Sequence, residues 1–127
     1  MIVSKSIRIN AAHFLPDYEG KCKNLHGHSW KIEVGVSGRV ANDGMVLDFS
    51  NLKSWMKRNI EEPLDHHCLN DIIYNPTAEN ITKWIVERWM SQEDTEELFV
   101  GLGLAFVKVW ETEDSCAEWR SPDALLS

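Results

Sequence analysis

The chain has 127 residues, a length that fits one domain with one hydrophobic core, so residues 1–127 are treated as a single domain. Its 20 acidic and 13 basic residues give a net charge of −7, which argues against a nucleic-acid-binding domain. The longest apolar stretch, residues 98–110, is too short to cross a membrane. The 3 cysteines are widely spaced and odd in number, so we expect no disulfide framework and a cytoplasmic location.

Alternating apolar and polar residues predict two strands near the start of the chain. The first strand runs from Val3 to His13. The second begins at His26, and its even-numbered positions are apolar from Trp30 to Val36. The turn-like sequence Asn42-Asp43-Gly44 follows this second strand.

Two helices are predicted in the middle of the chain. The first is capped by Asp48 or Ser50, carries apolar residues at helical spacing and ends before Pro63. The second opens at Pro76-Thr77 and has one apolar stripe.

The last part of the chain is expected to return to strands. Residues 91–97 form a charged loop in this prediction, residues 98–113 a long strand and residues 116–120 a short return strand. Because the helices are segregated from hairpin-linked strands, the order ββααββ predicts an α+β fold with an antiparallel sheet.

Three histidines share one face of the predicted sheet. His26 and His28 project to the same side of a strand, and His13 ends the other strand on its apolar side. Three histidines with an open fourth position are typical of catalytic zinc. Two solvated histidines and one core histidine are the alternative, and Cys22 as a fourth ligand would make the site structural and closed.

A thiol, an imidazole and a carboxylate form a second candidate group. Cys22 lies between Lys21 and Lys23, whose positive charges favour the reactive thiolate. Asp65 precedes His66 and could orient its imidazole for proton transfer near neutral pH. A surface turn is the alternative interpretation of Asp65 and His66.

Glu111 is a carboxylate on an otherwise apolar strand face. It follows Ala105, Val107 and Val109 at alternating positions. A carboxylate in that position needs a partner or a ligand with N–H donors. An edge position turned to solvent is the alternative.

These residues together resemble the 6-pyruvoyl-tetrahydropterin synthase family, and most closely its bacterial 6-carboxytetrahydropterin synthase branch. The matching segments lie in the same order as in the family, from about residue 7 to residue 112. They are Ala11-Ala12-His13-Phe14-Leu15-Pro16, Cys22-x-x-x-His26-Gly27-His28, Leu47-Asp48-Phe49, Leu64-Asp65-His66, Leu69-Asn70-Asp71, Pro76-Thr77-x-Glu79-Asn80 and Glu111-Thr112.

The resemblance implies a tunnelling fold, in which a four-stranded antiparallel sheet carries two helices on one face. Sheets from several subunits would join into a barrel, commonly in a homohexamer built as a dimer of trimers. The resemblance also implies zinc ligands, proton-transfer groups and pterin-binding groups. The implied zinc ligands are His13, His26 and His28. The implied proton-transfer groups are Cys22, Asp65 and His66, and the implied pterin-binding residues are Glu111, Thr77 and Thr112.

The implied substrate is a small molecule, 7,8-dihydroneopterin triphosphate, and no nucleic acid or membrane partner is expected. The carboxy branch releases triphosphate and acetaldehyde and leaves 6-carboxy-5,6,7,8-tetrahydropterin for the 7-deazaguanine and queuosine pathway. The spacing between Cys22 and His26 is that of this branch. The alternatives are the pyruvoyl product, made without carbon–carbon cleavage, and a structural zinc module that binds a partner. The cations that would bind the triphosphate remain unassigned.

Overall fold

A four-stranded antiparallel sheet forms the centre of the molecule. The computed structural model describes residues 1–20, 23–91 and 93–122. Neighbouring strands pair in the order in which they occur in the chain. The strands are β1 (Ile2–His13), β2 (His26–Ser37), β3 (Gly103–Thr112) and β4 (Ser115–Arg120). The predicted α+β class with an antiparallel sheet is confirmed, although β3 begins at Gly103 rather than at residue 98.

The alternation of the sequence separates the two faces of the sheet. Trp30 is paired with Ile9 on β1, and Ile32 is paired with Val109 on β3. These four side chains are almost fully buried beneath the helices. The opposite face, which we call the open face, carries the intervening polar and charged positions of the same strands, because successive side chains of a strand point to opposite sides.

Within the described residues, three α-helices follow one another between β2 and β3, and a short 3-10 helix, Leu69–Asp71, lies between the first two. Helix α1 consists of an α-helical segment, Phe49–Met56, a π-helical turn, Lys57–Glu61, and a last turn, Glu62–Leu64. Helix α2 is Ala78–Ser91 and helix α3 is Glu93–Leu98. No helix within the described residues is both long and apolar enough to span a bilayer.

The first helix begins where the sequence predicted but ends later. Asp48 is its N-cap and accepts a hydrogen bond from the Ser50 backbone N–H at 2.8 Å. The expected end before Pro63 is wrong, because the helix continues to Leu64. A proline has no N–H to donate, and the wider π-helical turn before it accommodates that loss within the helix.

The predicted charged loop at residues 91–97 is also wrong, because most of it belongs to α3. Thr95 is buried within this helix, Leu98 is partly buried at its end, and Phe99, the residue that follows the helix, is buried four positions after Thr95. Thr95 is buried and accepts a hydrogen bond from the Trp55 indole N–H at 2.7 Å, and Phe99 stacks on Trp89. These contacts pack one side of a short helix against the core. Exposed glutamates lie on its other side, and their charge led to the prediction of a loop.

A loop after α1 crosses the edge of the sheet. Residues 65–68 run beside the end of β1, where Cys68 forms a bridge with Ala12. The Ala12 N–H donates to the His67 carbonyl oxygen at 3.2 Å. This loop therefore covers the edge of β1 at the same end of the sheet at which the strand reaches His13.

Candidate active site

The antiparallel register of β1 and β2 brings the three candidate histidines together. His13 is the last residue of β1 and is the direct partner of His26, the first residue of β2. His28 lies two positions farther along β2, on the same side as His26. Glu111 reaches this cluster from β3, and the four side chains offer ligand atoms that all lie within 4.8 Å of one another. The expectation of one shared face is confirmed.

Hydrogen bonds define which nitrogens of His13 and His26 are free. The Nδ1 atom of His13 lies 2.8 Å from the Pro76 carbonyl oxygen, and that of His26 lies 2.6 Å from the Asn24 carbonyl oxygen. A carbonyl oxygen only accepts, so both Nδ1 atoms carry the proton and donate it. Both Nε2 atoms of the neutral rings then present lone pairs.

These two lone pairs face each other. The Nε2 atoms of His13 and His26 are 3.1 Å apart, and His13 is completely buried. Two lone pairs at this distance repel, so the contact needs either a proton on one ring, which makes it an N–H···N hydrogen bond, or a metal ion between the two nitrogens. Histidine ligands of metals characteristically donate the other ring N–H to a carbonyl or carboxylate, which is the pattern of both rings here. The donor set therefore fits a metal ion.

The surroundings of His28 favour the neutral form of its imidazole. Burial lowers the pKa of His28, against the opposing effect of the Glu111 carboxylate, and His13 and His26 lower it further. The neutral imidazole, which metal binding requires, is thus favoured. Its Nε2 atom is buried without a hydrogen-bond partner and lies 3.2 Å from a carboxylate oxygen of Glu111.

The packing around the cluster restrains its rings. Trp30 contacts both His13 and His28 edge-to-face, with ring centroids 4.9 and 5.4 Å apart. The Trp30 indole N–H in turn donates to the Ala11 carbonyl oxygen at 3.2 Å. Trp30 therefore packs between the histidine cluster and the apolar core and restricts the movement of both rings.

Asn70 is a positioning residue to which the sequence analysis gave no role. Its side-chain amide accepts from the Phe14 N–H at 3.0 Å and donates to the Phe14 carbonyl oxygen at 2.8 Å. This pair of bonds fixes the backbone immediately after His13. An asparagine inside a matched motif was the available signal, but only the fold reveals that its partner is 56 residues away.

The backbone of β1 holds the Asp65–His66 pair. The Asn10 N–H donates to Asp65 Oδ1 at 2.8 Å, and the His66 N–H donates to the Asn10 carbonyl oxygen at 2.7 Å. His66 has a positive φ of 59°, an uncommon conformation that concentrates at functional sites. Its imidazole is 77% exposed, and its Nε2 atom lies 3.5 Å from Asp65 Oδ2. Asp65 is therefore fixed, whereas the imidazole of His66 is available to a ligand.

A cavity connects the two groups of side chains. It has a volume of about 550 Å³, and its lining includes both His28 and His66 together with Gly27 and Ser29 of β2. A Cβ atom placed on Gly27 would contact nothing within 4 Å, so this glycine leaves the cavity open. His28 of the histidine cluster and the candidate proton carrier His66 therefore line the same cavity.

The remaining predicted residues are distributed differently. Cys22 lies outside the described residues. Cys116 of β4, to which the sequence analysis gave no role, is exposed, and partial burial of its thiol raises its pKa despite the nearby Lys108. Thr77 accepts a hydrogen bond from the Asn80 N–H at 3.1 Å at the start of α2. The Thr112 hydroxyl donates to Asp114 at 2.9 Å in the turn after β3.

The geometry predicts that His26→Ala removes most of the bound metal, which is measured by metal analysis of the purified protein. Chelation should lower the melting temperature of the original chain but not that of the variant, because a bound metal stabilises the native state by mass action. At a free metal concentration one hundred times the dissociation constant, this stabilisation is about 2.7 kcal/mol. His67→Ala, which changes an exposed histidine outside the cluster, is the control. Full metal content in His26→Ala would remove His26 from the ligand set.

Comparisons with known proteins agree with this geometry. A family model described as 6-pyruvoyl tetrahydropterin synthase matches residues 2–122. The 6-carboxy-5,6,7,8-tetrahydropterin synthase of Synechocystis sp. is 41% identical, over 95% of this chain and 94% of the relative. The human 6-pyruvoyl tetrahydrobiopterin synthase is 34% identical, over 93% of this chain and 90% of the relative.

The fold agrees as well. The structure of Caenorhabditis elegans 6-pyruvoyl tetrahydropterin synthase aligns with a TM-score of 0.80 at 24% identity and covers 95% of both chains. The family model extends over nearly the whole chain, and the histidines, Asp65 and Glu111 lie within the matched residues. The chain belongs to the 6-pyruvoyl tetrahydropterin synthase family.

Proposed function

We propose that this protein is a 6-carboxy-5,6,7,8-tetrahydropterin synthase. It acts as a zinc-dependent lyase that converts 7,8-dihydroneopterin triphosphate and one water molecule to 6-carboxy-5,6,7,8-tetrahydropterin, acetaldehyde and triphosphate. The observation that carries the proposal is the convergence of three histidine nitrogens beside Glu111. It is supported by similarity along almost the full length of the Synechocystis relative that bears this name.

We assign zinc to the histidine cluster, with His13, His26 and His28 as its ligands. Three neutral imidazoles are a donor set that suits zinc. When bound, zinc supplies Lewis acidity that makes the substrate's side-chain hydroxyls and the adjacent C–H more acidic. Because the Nδ1 protons of His13 and His26 are engaged by carbonyl oxygens, the rings keep their orientation during the reaction.

Proton transfer is assigned to Cys22, Asp65 and His66. The Cys22 thiolate takes a proton from one face of the substrate side chain, and Lys21 and Lys23 favour that thiolate. His66 exchanges protons on the other face. The Asp65 carboxylate stabilises the positive charge of the His66 imidazole and orients the ring. The Asn10 N–H in turn fixes the Asp65 carboxylate by a hydrogen bond. The exposure of His66 suits a group that must reach a ligand.

Pterin binding is assigned to Glu111, with Thr77 and Thr112 as further substrate-binding residues. The carboxylate accepts the pterin 2-amino and ring N–H groups in a charge-assisted pair of hydrogen bonds. A cavity of about 320 Å³ beside Glu111 is lined by residues of β4 and the start of α2, and it offers room for the ring. Since a Glu111 oxygen lies 3.2 Å from His28, a pterin held there is adjacent to the metal cluster.

We further propose a cytoplasmic homohexamer, a dimer of trimers in which the sheets join into a barrel. The sheet supports this because β1 and β4 are edge strands, and their free backbone groups, apart from residues 10–12 of β1 beside the loop, can pair with another subunit. The cysteine pattern suits a reducing compartment. Sedimentation equilibrium that gives a monomer at all concentrations would contradict the assembly.

Product analysis tests the proposed reaction. Incubation with 7,8-dihydroneopterin triphosphate should release acetaldehyde and triphosphate in equal amounts, because the proposed reaction breaks a side-chain carbon–carbon bond. Cys22→Ala should retain zinc but lose about 10²- to 10⁴-fold in turnover, the range typical of general acid–base groups. Triphosphate release with a pyruvoyl product and no acetaldehyde would favour the pyruvoyl alternative. Loss of zinc from Cys22→Ala would instead indicate a closed structural site.

The role of Glu111 is tested by Glu111→Gln, which keeps the shape of the side chain but replaces one acceptor oxygen with a donor. We expect metal content to be retained and KM for the substrate to rise about tenfold or more, because a hydrogen bond to a charged group contributes about 1.5–3 kcal/mol. Glu79→Gln, in the same cavity, is the control. Unchanged KM together with lost metal would make Glu111 a metal ligand rather than the pterin anchor.

A further inference from the structure

We propose that Arg8 and Lys31 form a polyphosphate-binding cleft on the open face of the sheet. The inference rests on the proposed function, since it identifies the cations that hold the triphosphate chain of that substrate. The cleft has a volume of about 220 Å³, and its lining comes from β1, β2, the end of β3 and the turn that follows. The lining residues are Arg8, Ser29, Lys31, Trp110, Thr112 and Glu113.

The two cations occupy an arrangement that is unfavourable without an anion. Arg8 and Lys31 are direct partners in the pairing of β1 with β2, so both side chains leave the sheet on the same face. Like charges directly opposite each other destabilise a sheet. Such a pair in a chain of net charge −7 is therefore a local exception to the charge balance of the protein.

Neither cation is neutralised within the part of the chain that the structure describes. No carboxylate lies within ion-pair distance of Arg8 or Lys31 among these residues. Two other cations of the open face are paired, because Lys108 and Arg120 contact Glu118 at 3.4 and 3.0 Å. Among the described residues of this face, positive charge is therefore left without an ion pair at the Arg8–Lys31 end.

The side chains that line the cleft offer charged groups and hydrogen-bond donors that suit phosphate oxygens. The Lys31 ammonium lies 4.7 Å from the centroid of the Trp110 ring, a cation–π contact that orients the charge without cancelling it. The planar guanidinium of Arg8 can hold two phosphate oxygens at once. The Ser29 hydroxyl is a further donor, whereas Glu113 is the one acidic group among the lining residues.

The cleft adjoins the cavity that borders the metal cluster. Ser29 lines both spaces, and the second of them also includes His28 and His66. Lys31 follows His28 by three residues on β2, which corresponds to about 10 Å along a strand. The His28 side chain lies on the helix-covered face, whereas Ser29 and Lys31 lie on the open face. A ligand with its phosphates at the cations can therefore extend along the open face past Ser29 toward His66.

Binding of inorganic triphosphate, measured by calorimetry, tests the site without any turnover. Arg8→Gln and Lys31→Met should each weaken binding about 10- to 100-fold, because each removes charge-assisted hydrogen bonds. Lys108→Met removes the same charge from the same face but from a paired position, and should leave the affinity nearly unchanged. Glu113→Gln should tighten binding. Equal affinity in the original chain, Arg8→Gln and Lys31→Met would overturn the proposal.

Thermal unfolding gives an independent readout that also shows whether the variants fold. Without added anion, Arg8→Gln and Lys31→Met should melt at or above the temperature of the original chain, because each relieves the repulsion of like charges. Added triphosphate should raise the melting temperature of the original chain and of Lys108→Met more than that of either cleft variant. The same rise in all four proteins would contradict the assignment.

Kinetics with 7,8-dihydroneopterin triphosphate identify the source of the phosphates. The substrate assignment predicts that KM rises in Arg8→Gln and Lys31→Met by about the factor seen for inorganic triphosphate, with little change in kcat. Weakened triphosphate binding with unchanged KM would overturn that assignment and leave a site for the free anion. A chain that binds triphosphate through Arg8 and Lys31 but forms no acetaldehyde would refute the proposed reaction, not the cleft.

Discussion

The close approach of two imidazole nitrogens at the end of the β1–β2 ladder is the constraint on which the site depends. His13 and His26 meet there because they are paired across the strands, and two carbonyl oxygens hold their Nδ1 protons away from each other. The resulting separation of 3.1 Å between their Nε2 atoms requires a proton on one ring or a metal ion between them, and the proposed zinc would meet that requirement. The β1–β2 register, the loop that carries Pro76 and the clamp of Asn70 on Phe14 all serve to maintain this arrangement.

The two faces of the sheet divide the proposed chemistry between them. The helix-covered face places Glu111 beside the histidines, in surroundings that favour a neutral His28. The open face carries Arg8 and Lys31, whose charges can attract a polyanion even though the side chains are not buried. Because side chains alternate along β2, residues 28–31 contribute to both faces within one short stretch. Strand β2 therefore carries candidate metal ligands on one face and a candidate phosphate-binding cation on the other.

Much of the sheet could be predicted because its physical cause is local. One face of each of the first two strands is buried, so the period of two in the sequence identifies both strands and places His13, His26 and His28 on one side. Helix α3 escaped prediction because Thr95 and Phe99 owe their burial to Trp55 and Trp89, which lie in other helices. Charged neighbours dominate that segment of the sequence, and tertiary contacts decide its structure.

The parts of the site that depend on long-range register could not be predicted. Nothing in the sequence pairs His13 with the Pro76 carbonyl oxygen, Asn70 with Phe14, or Arg8 with Lys31, since these contacts join separate elements of the fold. The backbone support of Asp65 by Asn10 belongs to the same class. The role of Cys22 stays a prediction from the sequence.

The most direct test of the central claim is a crystal structure of the protein purified without chelators, with anomalous scattering measured at the zinc absorption edge. The account predicts one anomalous peak per chain, about 2.0–2.1 Å from the Nε2 atoms of His13, His26 and His28. A protein preparation that contains stoichiometric zinc but shows its peak elsewhere, with no density among these three nitrogens, would contradict it.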